Sequence, residues 1–405
     1  MRPAALCAFL GIVSTAAWSA PPAPPIQHVF VIVLENEGYD ATFGPHSKAP
    51  YLATTLVRSG VLLTQYYGTG HYSLDNYLAM ISGQAATPET RDDCETFADF
   101  VASGTTPDGQ AVGRGCVYPA SVRTLPDQLA AVHRSWRGYM EDMGNDPARE
   151  ARTCGHPALG AEDPTQKAEA PSPRVPAGDQ YATRHDPFVY FHSIIDSPAC
   201  AANVVNLDRL AEDLASRRTT PAFAFITPNL CHDGHDAPCV NGEPGGLASA
   251  DSFLRKWVPR IMASPAYREG GLLVITFDEG DSKVVPNPAG GRLETYAGEK
   301  CCHQQPGPNL APFPQTVRDG DLTTTFLDIG GDRVGAVLVS PFLAAGTVSK
   351  TPFNHYSLLK SLEDLLGTDG HLGYAAQPGL AGFFERGSSD VPPPGARGAA
   401  ASDGG

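Results

Sequence analysis

Four short runs of apolar, largely β-branched residues interrupt an otherwise mixed chain: residues 28–34 (HVFVIVL), 222–227 (AFAFIT), 271–277 (GLLVITF) and 333–339 (RVGAVLV). Near-continuous apolar runs of this length predict strands buried on both faces, as in a largely parallel sheet covered by helices. Weaker strand patterns fall at residues 61–67 and 136–140. Helical periodicity is read at residues 50–59, 121–133, 206–217, 248–264 and 355–366. Between about residues 83 and 116 the pattern dissolves into polar, Cys-bearing loop, and residues 146–186 form an excursion rich in Pro, Ala and charge. The expected architecture is therefore α/β, a single domain over residues 21–386 with insertions at about 87–201 and 282–331.

The buried runs end in polar chemistry. The first stops at Glu35-Asn36-Glu37, the second at PNLCHDGHD (residues 228–236), and the third at Asp278-Glu279-Gly280. Open α/β sheets place ligand sites at the carboxyl ends of their strands. Residues 70–83 (GHYSLDNYLAMISG) read as a tight turn entering a short helix, with Ser73 at the N-cap, Asp75 in the first turn and Gly83 closing the far end. A helix start gathers free N–H groups, and Asn76 lies three residues after Ser73, so both can face one anion. Glu35, Ser73, Asp278 and Glu279 could form an oxygen-rich cation site, and Asp233, His235 and His355 a mixed nitrogen and oxygen one. Two divalent cations beside a hydroxyl would lower its pKa and clamp a transferring phosphoryl group.

Composition narrows the setting. A net charge of -15 argues against nucleic acid or an anionic membrane as the main partner. Residues 1–20 read as a secretory signal, and no later run is long enough to anchor the chain in a membrane. The expected location is secreted or periplasmic. Apart from Cys7, eight of the nine cysteines remain, an even count that in an exported chain favours disulfides. Nearest-neighbour pairing gives Cys94–Cys116, Cys154–Cys200 and Cys231–Cys239; the partners of the adjacent Cys301 and Cys302 stay open. The Ser/Pro/Gly/Ala-rich residues 387–405 read as a disordered tail.

In order along the chain, HVFVIVLEN, S-x-x-NY-LAMISG, PNLCHDGHD, LLVITFDEG and FNHYSLLKSLE resemble the phosphoesterase family of secreted bacterial acid phosphatases and phospholipases C, within the alkaline phosphatase superfamily. The resemblance implies an alkaline-phosphatase-like three-layer sandwich. It also implies a metal-dependent acid phosphatase that cleaves phosphate monoesters of small molecules, with a phospholipid or phosphoinositide among the options. By the same resemblance Ser73 is the nucleophile that becomes phosphorylated, Asn76 donates to a phosphate oxygen, and His71 is a leaving-group acid. Glu35, Asn36, Ser73, Asp233, His235, Asp278, Glu279 and His355 would hold two divalent cations. Two features depart from the family pattern: Asp75 replaces a frequent proline, and His232 is an extra histidine that could compete with His235. Sulfatase and serine esterase chemistry lack their motifs here. A phospholipase C-like diesterase and an inactive exported binding protein remain as alternatives.

Overall fold

The computed structural model describes residues 26–394, so the signal read at residues 1–20 lies outside the described part. Eight strands form the central sheet: β1 His28–Leu34, β2 Val61–Leu63, β3 Trp136–Met140, β4 Val204–Asn206, β5 Phe223–Thr227, β6 Gly271–Phe277, β7 Ala336–Val339 and β8 Thr347–Ser349. Their spatial order is β8-β2-β7-β6-β1-β5-β3-β4. Every neighbouring pair is parallel except the two made by β7, which runs against β6 and β2.

β1, β5 and β6 lie in the middle and are buried along their whole length. Successive side chains of a strand point to opposite faces, so complete burial means that both faces are covered, which makes three layers. The covering helices are α1 Ser73–Ser82, α2 Leu125–Ala131, α3 Gly246–Ala263 and α4 His355–Leu366. α1, α2 and α4 pack on one another, while α3 packs against the helical segment Tyr51–Leu56. Val29 to Leu34 are fully inaccessible, so truncating one of them, such as Ile32→Ala, should cost about 2–5 kcal/mol.

The strong patterns are strands and helices as read, and so is the weaker strand at 136–140; other stretches differ. The run at 61–67 breaks after Leu63, and Tyr66–Tyr67 pairs instead with Phe353–Asn354. Residues 206–217 are not one helix: β4 ends at Asn206 and only Arg209–Asp213 is helical. The polar stretch 83–116 holds an exposed hairpin, Val101–Thr105 with Ala111–Arg114. The insertion at 282–331 folds into its own four-stranded sheet of Lys283–Pro286, Arg292–Tyr296, Leu322–Phe326 and Gln315–Asp319. Exposed strands rich in Thr and charge lack the apolar run that marks a buried strand.

Order also extends past the expected start of the tail. Asp390 accepts hydrogen bonds from Lys350 N at 2.9 Å and Thr351 Oγ1 at 2.7 Å, and Val391 is buried. The three nearest-neighbour disulfides are present, and Cys301 is bonded to Cys302.

Candidate active site

β1, β5 and β6 bring Glu35, the 228–236 loop and Asp278-Glu279 to one edge of the sheet. Because β7 is antiparallel, the segment leading into it, with Asp332 four residues before Ala336, reaches that same edge. α1 begins there too, on a constrained turn. Its N-cap is Tyr72, held at φ 74° and ψ 152°, and Ser73 is therefore the first helical residue and not the cap. Such a backbone in a non-glycine residue costs about 1–3 kcal/mol and persists only where its surroundings enforce it. Here Tyr72 N donates to Glu279 at 3.1 Å, and a Cβ at Gly70 would collide with the Asp75 carboxylate. The N–H of Leu74 is already capped, by Asp93 Oδ1 at 3.0 Å. The helix start is thus less open to an anion than its sequence implies.

Asn76 also differs from expectation. It is fully buried, and it accepts from Thr69 N at 2.7 Å and Gly70 N at 3.0 Å. Its two amide protons go to the carbonyls of Gly70 at 2.9 Å and Tyr72 at 3.1 Å. No proton is left for a phosphate oxygen. Asn76 positions the turn that carries Ser73.

The Ser73 side chain faces the Asp278 carboxylate. Asp278 Oδ1 accepts from Asn36 N at 3.0 Å and Glu279 N at 2.6 Å, while Oδ2 is buried without a hydrogen-bond partner. Asn36 reaches Glu279 through its amide at 3.3 Å, so it orients the acidic pair. One strand away, Glu35, His185 and Asp233 bring one ligand atom each within 4.8 Å of one another, all three buried. Sequence reading missed His185, which lies in the 146–186 excursion; it contacts Glu35 and stacks on Tyr77 with ring centroids 5.3 Å apart.

Burial first, and then the negative charge of Glu35, push Asp233 and Asp278 well above the ordinary carboxylate range. Asp233 Oδ2, Asp278 Oδ2 and His185 Nδ1 are buried with no hydrogen bond among the described residues, while Glu35 Oε1 and His185 Nε2 face each other. Burial also lowers His185, which favours the neutral imidazole that a metal requires. Crowded carboxylates with free lone pairs beside a neutral imidazole fit a divalent cation. The donors that would hold it are Glu35, His185 and Asp233, with Asp278 next to Ser73.

The other histidines divide by role. His71 is buried between Glu279, which contacts Nδ1, and Asp332, whose carboxylate lies 3.3 Å from Nε2. Burial opposes its charge, but the two carboxylates raise its pKa to about 9. His355 is not free to ligate: Nδ1 meets Tyr66 OH at 2.9 Å and Nε2 meets the Asp278 carbonyl at 2.5 Å. Burial lowers its pKa to about 4. Its place is behind Asp278, as a support. His235 is exposed above the site, outside the Glu35–His185–Asp233 group, and its backbone N–H donates to Asp233 at 2.9 Å. His232 turns away to Glu141 at 2.8 Å and Glu243 at 3.3 Å. It joins Cys231 and Glu243 in a second cluster of metal-ligating types, but Cys231 is committed to its disulfide with Cys239.

Residues 45–368 match the model of the phosphoesterase family. The chain belongs to that family. It is 25% identical over 236 residues to a phosphate-repressible acid phosphatase of Penicillium chrysogenum, covering 57% of this chain and 44% of that one. It is 24% identical over 276 residues to a phosphatidylinositol-3-phosphatase of Mycobacterium tuberculosis, covering 68% of this chain and 71% of that one. The chain spans about half the length of the fungal acid phosphatases that it matches. Among solved structures, an alkaline phosphatase superfamily protein of Vibrio parahaemolyticus aligns over 86% of this chain and 69% of its own, with 10% identity and a TM-score of 0.46.

Proposed function

We propose that this phosphoesterase family member is a metal-dependent phosphatase that hydrolyses phosphate monoesters through a phosphoserine at Ser73. The observation that carries this reading is the convergence of the buried Glu35, His185, Asp233 and Asp278 side chains, with carboxylate oxygens of both aspartates unpartnered, beside a hydroxyl held on a strained turn. Divalent cations held there would supply the positive charge that activates a hydroxyl and stabilises phosphate oxygens.

The chain's own groups divide the proton work. With its carboxylate ionised by a cation held beside it, Asp278, which faces Ser73, would take the hydroxyl proton as the oxygen attacks phosphorus. The ester P–O bond breaks, and the departing alkoxide receives a proton from His71, which Glu279 and Asp332 keep charged. Water then attacks the phosphoserine and gives a proton to the now neutral His71. Ser73 recovers its proton from Asp278, and inorganic phosphate leaves.

The acid phosphatase relatives support the monoesterase reading, and the phosphoinositide phosphatase among them supports small phosphorylated substrates, a phosphoinositide included. Four disulfides fit an oxidising compartment, outside the cell or in a periplasm. No helix among the described residues is long and apolar enough to cross a membrane. The deciding experiment assays a panel of phosphomonoesters and phosphodiesters with and without added divalent metal, and traps the phosphoenzyme by acid quench. Hydrolysis unaffected by exhaustive chelation, or faster on diesters than on monoesters, would overturn the proposal.

A further inference from the structure

At the end of the sheet away from the catalytic residues the chain builds a second cleft, of about 640 Å³. Its walls are residues 132–135, which lead into β3, and residues 217–222, which lead into β5, with Gln27 and His28 at the start of β1. β1 is 7 residues long, which at about 3.3 Å per residue sets this cleft roughly 20 Å from Glu35. It is separate from the catalytic edge.

The lining is cationic in a chain whose net charge is -15. Arg134, Arg217, Arg218, His28 and His133 all border the cleft. Arg217 is paired with Glu269 at 3.1 Å and also meets Gln27. Arg134 and Arg218 have no carboxylate within ion-pair distance among the described residues, although the chain carries 44 acidic groups to 29 basic ones. His28 reports that the charges converge. Its Nδ1 is spent on the Pro221 carbonyl at 2.9 Å, and after burial it is the fields of Arg217 and Arg134 that disfavour its protonation.

A concave surface lined by one sign of charge focuses its field on whatever enters it. Guanidinium groups match the oxygens of a phosphate in a two-pronged geometry that an ammonium does not offer. We propose that this cleft is a second anion site, outside the catalytic centre, which takes a phosphate-bearing ligand, either free phosphate or the headgroup of an anionic lipid. The proposal does not depend on how the catalytic site works, since none of its residues reaches that edge.

The test uses the full chain and two double variants, R134A/R218A and the charge-keeping R134K/R218K. Arg218 is exposed and Arg134 half-buried, and turnover of an aryl phosphate certifies that each variant is folded with its catalytic edge intact. Equilibrium dialysis with labelled inorganic phosphate measures the free anion. Sedimentation with phosphatidylcholine vesicles doped with phosphatidylglycerol measures the headgroup. The expected result is that R134A/R218A loses binding by more than about tenfold in at least one arm while turnover is unchanged. R134K/R218K should retain part of the binding, and added salt should weaken it. Loss in the dialysis arm assigns free phosphate, and loss confined to the vesicle arm assigns the headgroup; both support the site. Equal phosphate stoichiometry together with equal sedimentation in the unchanged chain and R134A/R218A would overturn it.

Discussion

The carboxamide of Asn76 holds Gly70 from both sides, accepting its N–H at 3.0 Å and donating to its carbonyl at 2.9 Å. With the bonds to Thr69 and Tyr72 it closes the turn on which Ser73 is mounted. Asn76→Ala should therefore act through geometry. Each lost bond is worth about 1 kcal/mol, and buried groups left unpaired cost more, so the melting temperature should fall measurably. Turnover should fall by about a hundredfold or more, because a small misplacement of a nucleophile is costly. Asn76→Asp keeps the acceptors and loses both donors, and it should lie between the two. An Asn76→Ala enzyme with normal stability and lower affinity for phosphate alone would instead restore the phosphate-donor role.

Ser73→Ala makes the complementary case. Ser73 is the first residue of α1 and caps nothing, since Asp93 already serves Leu74 N. Stability should change by less than about 1 kcal/mol. Turnover should drop by several orders of magnitude if the covalent step is lost. Acid quench with a labelled substrate should give a phosphoprotein from the unchanged enzyme and none from the variant. Activity retained within a few-fold by a folded Ser73→Ala protein would place the nucleophile elsewhere.

What the sequence made legible follows the strength of each local signal. Glu35 and Asp278 could be found because each ends a buried apolar run, and a strand end has a known position in an open sheet. His185 could not be found this way. It sits in a single helical turn, Thr183–His185, after a long aperiodic stretch, and only the fold brings it to Glu35. The one local signal was Arg184-His185-Asp186, a polar trio directly before the apolar Pro187–Tyr190. Asp332 was hidden for a different reason, because an apolar run does not reveal the direction of its strand. The role of Asn76 was inverted because a side chain at helical spacing can turn back to the preceding loop as readily as out to a ligand.

The buried acidic edge sets function against stability. Asp233 is pushed well above the ordinary carboxylate range by burial and by Glu35, so in metal-free protein at neutral pH it opposes folding. Asp233→Asn should raise the thermal stability of metal-stripped protein while weakening its affinity for a divalent cation, read by calorimetric titration with the metal. His185→Ala should weaken that affinity too, without the gain in stability. If neither substitution changes metal affinity, the Glu35–His185–Asp233 group is not the binding site.

Glu363, on α4, gives a prediction about pH. It is buried; Leu372 N donates to Oε1 at 2.9 Å, and Oε2 has no partner among the described residues. Burial raises its pKa to about 8. The unfolded chain ionises the same group near 4.3, so between those values the folded state holds a proton that the unfolded state has lost. Stability must then fall as pH rises through this window, since its slope with pH follows the protons bound by the unfolded state minus those bound by the folded one. Below about pH 4 the contribution is fully present, and above about pH 8 the loss is complete. Glu363→Gln keeps the acceptor for Leu372 and cannot ionise, so it should flatten the stability profile between pH 5 and pH 8, measured by urea unfolding. A variant whose stability still falls with pH as steeply as the parent's would show that Glu363 is ionised in the folded protein.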